Sequence, residues 1–237
     1  MLHVERPQES VQAILEFART RGVEAPSDAL VKLDRYVDSL LRWNEKHNLI
    51  SRSDTASVWT KHVLHSIGVL VSIQMSDEAV FADIGTGGGF PGIPVAIFKP
   101  RSRGFLIESI SKKAEAVKAI AREAGVTNVT IVHSRAEDPL TVKRLRRSCD
   151  LVFSRAVAPL TKLAGWSAPL LKPFPVDSNG APTPSMIALK GGDITDEVRA
   201  LHSRYPNADI RIAEMEFDEA IGLVGKKVVT VKFPGTT

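Results

Sequence analysis

Phe81-Ala82-Asp83-Ile84-Gly85-Thr86-Gly87-Gly88-Gly89-Phe90-Pro91-Gly92 is the stretch on which the reading of this chain turns. An apolar strand runs into a glycine-rich turn, and a helix opening with proline is expected next. Glycine has no Cβ, so the backbone here is free to take positive φ and pass close to a ligand. Pro91 suits a first helical turn, where its missing N–H costs nothing. The start of that helix offers unpaired N–H groups and partial positive charge. Together these are the parts of a nucleotide-binding βα turn.

Two ligand classes fit the turn. Gly87-x-Gly89-x-x-Gly92 satisfies the dinucleotide pattern, which keeps an NAD-dependent oxidoreductase open. Asp83-x-Gly85-x-Gly87-x-Gly89 satisfies the methyltransferase pattern equally well. Both classes need an acid at the end of the next strand to hold ribose hydroxyls, and Glu108 stands there. Asp83 leans slightly toward S-adenosylmethionine, because negative charge suits a sulfonium better than a pyrophosphate.

Outward from the turn, short apolar runs alternate with amphipathic stretches. Strands are expected at 79–84, 104–108, 129–133, 150–153 and 186–189, and helices at 93–98, 111–124, 160–171 and 194–203. That alternation implies a mostly parallel sheet with helices on both faces. Residues 210–217 and 227–233 read as an antiparallel pair closing the sheet, with Gly222 and Gly225 between them. Residues 1–75 read as a helical subdomain ahead of an α/β domain at 76–237. Ile14, Leu15 and Ala18 follow Val11 at helical spacing, and Gly22 sits where a C′ residue belongs. Ser27 is a candidate N-cap for a second helix carrying Leu33, Val37 and Leu40, and Ser53 or Asp54 for a third carrying Trp59, Val63 and Ile67. The stretch Pro173–Pro184 reads as a loop.

The chain has 237 residues and a net charge of +4, which permits nucleic-acid binding without requiring it. Its single cysteine, Cys149, allows no intrachain disulfide and makes a cysteine zinc site implausible. No metal site is expected. No apolar run approaches the ~18 residues needed to span a membrane, and the first residues lack the form of a signal peptide. A cytoplasmic protein that does not engage membranes is expected.

Three cations follow successive expected strands: Arg135, Arg155 and Lys190. In doubly wound sheets ligands sit beyond the carboxyl ends of strands, so these residues point to an anionic substrate such as a phosphodiester backbone. No Ser/His/Asp set accompanies them, which argues against hydrolysis. The run Lys143-Arg144-Leu145-Arg146-Arg147 reads as a solvated face. Trp43 reads as packing, and Asn44 and Asn48 as neighbours on one helix face.

The ordered motifs resemble the RsmG (GidB) family of bacterial 16S rRNA methyltransferases, from about Leu33 to Lys232. They are Trp43-Asn44-x-x-x-Asn48-Leu49, Lys61-His62-x-x-x-Ser66, the glycine turn with its Phe90-Pro91-Gly92-Ile93-Pro94 continuation, and Glu108-Ser109-x-x-Lys112-Lys113. Ser134-Arg135-Ala136-Glu137, Ser154-Arg155-Ala156-Val157-Ala158 and Leu189-Lys190-Gly191 complete the set. The resemblance implies a Rossmann-like class I methyltransferase fold and S-adenosylmethionine as cofactor. It implies methylation of guanine N7 in 16S rRNA, in the 530 loop, with the 30S subunit or an assembly intermediate as partner and the enzyme a monomer. By it Gly85 and Phe90 line the cofactor pocket with Asp83, Gly87, Gly89 and Glu108. Ala136 and Glu137 touch the adenine side, Arg155 lies between cofactor and substrate, and Arg135 and Lys190 serve RNA binding. The family carries an acid where this chain has His65.

Overall fold

The computed structural model describes residues 7–173, 183–215, 217 and 223–234. Seven strands form one sheet in the order β3-β2-β1-β4-β5-β7-β6. They are β1 (Val80–Ile84), β2 (Arg103–Glu108), β3 (Val129–His133), β4 (Leu151–Arg155), β5 (Ser185–Gly191), β6 (Asp209–Glu214) and β7 (Lys226–Lys232). β1 to β5 pair in parallel, and β7 runs antiparallel to both β5 and β6. The parallel strands read as apolar runs because both faces are covered by helices. β6 is the exposed edge, and Asp209, Arg211 and Glu214 place charge along it.

The chain order reverses at β1, which has β2 on one side and β4 on the other. That is a topological switch point, where a crevice opens beyond the strand ends. The helices are α1 (Pro7–Thr20), α2 (Ala29–His47), α3 (His65–Ser72), α4 (Gly92–Phe98), α5 (Ser111–Glu123), α6 (Pro139–Leu145), α7 (Leu160–Ser167) and α8 (Thr195–Arg204). α1 ends in a Schellman turn: the N–H of Gly22 donates to Arg19 O and that of Val23 to Ala18 O.

Several local expectations need correction. Ser27 does not cap α2. The Ala29 N–H donates to Pro26 O in a turn, and Asp28, the residue before the helix, is ion-paired with Lys32 at 2.8 Å. The third N-terminal helix is three pieces: a 3₁₀ stretch Arg52–Ser57, a π-helical turn Trp59–Leu64, then α3. Its cap is Ser51, whose hydroxyl accepts from the Ser53 N–H, while Asp54 is engaged elsewhere. Pro91 flanks α4, which begins at Gly92. α7 stops at Ser167: Ala168 still has helical backbone, but Pro169 after it has no N–H with which to continue the ladder. Residues 139–145, for which no helix was expected and whose last three fall in the run 143–147 read as a solvated basic face, form α6, capped by Asp138 through Leu140 N and Thr141 N with Pro139 at its start. Most of the Pro173–Pro184 loop, and Gly222, lie outside the described residues.

One apolar cluster joins the N-terminal helices to the sheet. Tyr36, Leu40, Trp59 and Ile67 pack with Phe81, Phe90, Ile93 and Phe153. Polar ties reinforce it. The Tyr36 hydroxyl donates to Gly88 O at 2.9 Å, and Glu123 of α5 accepts from Ser39 and Arg42, both at 2.7 Å. Cys149 is a free, buried thiol.

Candidate active site

Asp83, the residue before the last of β1, is fully buried. Its Oδ2 accepts from the Thr86 hydroxyl at 2.7 Å and the Gly92 N–H at 3.0 Å, so one carboxylate oxygen ties both ends of the glycine turn. Its Oδ1 has no hydrogen-bond partner among the described residues. Burial pushes the carboxyl up to about 7, against the lowering effect of those two hydrogen bonds. Glu108, at the end of β2, holds the turn from the other side. Its Oε2 accepts from Gly87 N at 3.1 Å and its Oε1 from Ile110 N at 2.9 Å.

Gly85 has φ of +66°, and a Cβ there would meet Val157 Cγ2 at 2.6 Å. The turn therefore needs glycine at this point for both conformation and space. Two cavities meet at Gly85. One, of about 500 Å³, is lined by Gly85, Gly87, Phe90, Arg155 and Lys190 among others. The other, of about 160 Å³, is lined by Gly85, Ile107, Ser109, Arg135, Ala136 and Glu137. Of the expected cofactor residues, Asp83, Gly89 and Glu108 line neither. The two carboxylates are turned onto the loop backbone, and Gly89 packs against Ile93 and Tyr36.

Arg155, the last residue of β4, lies in the larger cavity. Its guanidinium carbon sits 4.8 Å from the Phe90 ring centroid. Nη2 is 2.6 Å from His62 Nδ1, and Nη1 donates to Lys61 O at 3.4 Å. His62 Nε2 is 3.3 Å from Asp54 Oδ2, and Asp54 Oδ1 accepts from Lys61 at 2.7 Å. Burial, then the neighbouring Arg155, hold His62 down to about 4, so its imidazole is neutral near pH 7. Ala156 follows at φ of +55°, in a left-handed turn that carries the chain out of β4.

The three expected cations do not gather at one place. Lys190 shares the larger cavity with Arg155, but its ammonium donates to Glu197 at 2.7 Å and to Ala158 O at 2.9 Å. Arg135 lies across Gly85 in the smaller cleft, largely exposed, 3.8 Å from Glu137. Asn44 accepts from Ile50 N at 2.8 Å, and Asn48 is the left-handed C-cap of α2, so the pair does not share a helix face. Trp43 packs partly buried against the core. His65 is buried on the cavity wall, its Nε2 without a hydrogen-bond partner among the described residues, and burial followed by the Arg155 charge lowers it to about 3. As site residues, Tyr36 and Lys226 escaped the sequence reading, while Asp54 was read only as a candidate cap and Lys61 only as part of a motif. Lys226 lines the cavity opposite the glycine turn, beside Gly191, to which β7 pairs it.

The family model of rRNA small subunit methyltransferase G (GidB) matches residues 29–218. A ribosomal RNA small subunit methyltransferase G of Pelodictyon phaeoclathratiforme is 38% identical over 197 residues, which cover 83% of this chain and 80% of that protein. One from Phocaeicola vulgatus is 34% identical over 225 residues, 95% of this chain and 100% of that protein. Among solved structures, a SAM-dependent methyltransferase from Aquifex aeolicus superposes with a TM-score of 0.50 at 13% identity, covering 83% of this chain and 98% of that one. A fibrillarin/Nop5p complex gives 0.53 at 10% identity, covering 71% and 79%. At such identities the fold alone is shared, and it is the expected class I methyltransferase fold. With the family match spanning the helical segment, the glycine turn and the strand ends that build the cavity, this chain belongs to the rRNA small subunit methyltransferase G family.

Proposed function

We propose that this protein methylates N7 of a guanine in 16S ribosomal RNA, the 530-loop guanine, with S-adenosylmethionine as donor. It acts as a cytoplasmic monomer on the 30S subunit or an assembly intermediate. The observation that carries this reading is the pair of cavities meeting at Gly85 beyond the switch point, the larger lined, among the described residues, by Lys61, Arg155, Lys190 and Lys226 against one carboxylate, Asp54.

The residues present fit such a cofactor. The bare turn at Gly85 and Gly87 leaves room for close backbone approach, and Glu108 keeps free lone pairs at the β2 end for ribose hydroxyls. Ala136 and Glu137 border the cleft suited to adenine, and Phe90 and Arg155 face the other side. Asp83 and Gly89 contribute from beneath by shaping the loop. S-adenosylmethionine, when bound there, supplies a methyl group on a positively charged sulfur.

Guanine N7 carries an in-plane lone pair and no proton, so attack from it needs no general base. His62, neutral and held between Asp54 and Arg155, is accordingly under no requirement to shuttle protons. The protein contributes position and field. Methylated guanine gains positive charge, so the cavity cations, and Arg135 beyond the cleft, serve phosphates rather than the ring. In this reading residues 1–75 are the subdomain that covers the cofactor face or helps to dock RNA, and residues 76–237 are the methyltransferase domain.

The test has two parts. S-adenosylmethionine should raise the melting temperature and NAD should not. Label from the methyl group should then pass to 30S subunits in preference to protein. Arg155→Ala should cut transfer by about a hundredfold with the fold retained. Unchanged transfer in that variant would remove Arg155 from the mechanism.

A further inference from the structure

Arg155 is partly buried on the wall of the larger cavity, and burial lowers its pKa. Among the described residues it touches no carboxylate; its contacts are a carbonyl, a ring face and an imidazole. A partly buried cation without a carboxylate partner carries a desolvation cost, which is offset when an anion arrives. The imidazole contact fixes a tautomer. Arginine offers only donors, so His62 Nδ1, 2.6 Å away, accepts. The ring proton then sits on Nε2, which donates to Asp54 Oδ2 at 3.3 Å. Asp54 is in turn steadied by Lys61 on its other oxygen, at 2.7 Å.

We propose that Asp54 and His62 are positioning residues. They hold the Arg155 guanidinium over the Phe90 ring so that its remaining N–H groups meet an oxyanion in the cavity. That oxyanion is either the carboxylate of S-adenosylmethionine or a phosphate of the RNA, and the proposal rests on the functional reading above for both. Both positioning residues come from the 3₁₀ and π-helical turns of the N-terminal segment, while Arg155 ends β4. The N-terminal segment thereby helps to build the site as well as covering it. Loss of the Asp54 acceptor frees His62 to rotate or change tautomer, and Arg155 loses its fixed geometry without losing its charge.

The experiment uses the full chain, and wild type, Asp54→Ala and Asp54→Asn. Asparagine retains an oxygen acceptor for His62 Nε2–H; alanine does not. Spectra of ¹⁵N-histidine protein should show His62 protonated on Nε2 and bare on Nδ1 in wild type. Calorimetry with S-adenosylmethionine and steady-state transfer to 30S subunits provide the other readouts. Asp54→Ala should weaken one of them by about tenfold: cofactor Kd if the oxyanion is the carboxylate, KM for 30S subunits if it is phosphate. Asp54→Asn should recover most of that loss, at an unfolding midpoint equal to that of Asp54→Ala. Equal values for the two variants, or no change in either readout, would overturn the proposal. So would a His62 proton on Nδ1. A wild type that transfers no methyl to 30S subunits would refute the functional reading instead, with the tautomer and the cofactor titration still deciding this one.

Discussion

Asp83 joins the stability of the molecule to its site. Buried, it rises from 3.8 to about 7, so across that interval the folded protein keeps a proton that the unfolded chain has released. The linked stability therefore falls as pH climbs from about 4 to about 7. His62 and His65 act oppositely. They are depressed to about 4 and about 3, so they favour the fold increasingly as pH rises toward 6.5. Above that value only the Asp83 slope remains of the three. Asp83→Asn keeps an oxygen acceptor for Thr86 and Gly92 and removes the titration. Urea unfolding of variant and wild type at several pH values should show the variant gaining relative stability as pH rises from about 4 to about 7 and levelling off above that. A constant difference across that range would mean that Asp83 is ionised in the fold. At this scale the sequence marked Asp83 as an acid at a strand end but not its burial. Nothing local announces that both oxygens face inward, because Thr86 and Gly92 close over it only once the turn is made.

Among the elements, the glycine turn is the most constrained. A methyl group at Gly85 would press on Val157 and force an L-residue to a φ of +66°. The left-handed backbone alone costs about 1–2 kcal/mol. Gly85→Ala should lower the unfolding midpoint and weaken S-adenosylmethionine binding together, as calorimetry would show. Gly92→Ala meets a different obstacle, Asp83 Oδ2 at 2.8 Å and Leu106 Cγ at 2.9 Å, so it should cost about 1–3 kcal/mol by overpacking, read from denaturant unfolding. The strands were legible to within a residue or two at most ends, because parallel strands buried on both faces read as unbroken apolar runs. α6 was not. Only Thr141 and Leu145 of its residues are buried, so it shows no apolar stripe, although Asp138-Pro139 is a helix-start signal that could have exposed it. The stretch 52–72 showed helical spacing, but that spacing does not separate 3₁₀, π and α turns.

Across the whole molecule, the helical segment and the sheet share one apolar cluster, with Tyr36 of α2 bonded to Gly88 in the glycine turn itself. Calorimetry should therefore record a single cooperative transition rather than separate melting of residues 1–75 and 76–237. Two resolved transitions would show that the shared core does not couple them. Contacts of this range are where sequence reading ran out. Arg155 and His62 are 93 positions apart, and Ser39 and Glu123 are 84 apart, so no spacing rule joins them. The cavity's charge balance was likewise hidden, since Lys190 was legible as a cation but its commitment to Glu197 across the β5–α8 turn was not. The decisive measurement is to incubate the protein with methyl-labelled S-adenosylmethionine and unmodified 30S subunits, digest the 16S rRNA and identify the labelled nucleoside by mass. Labelled 7-methylguanosine is the expected result. Label in any other nucleoside, or none despite bound cofactor, would contradict it.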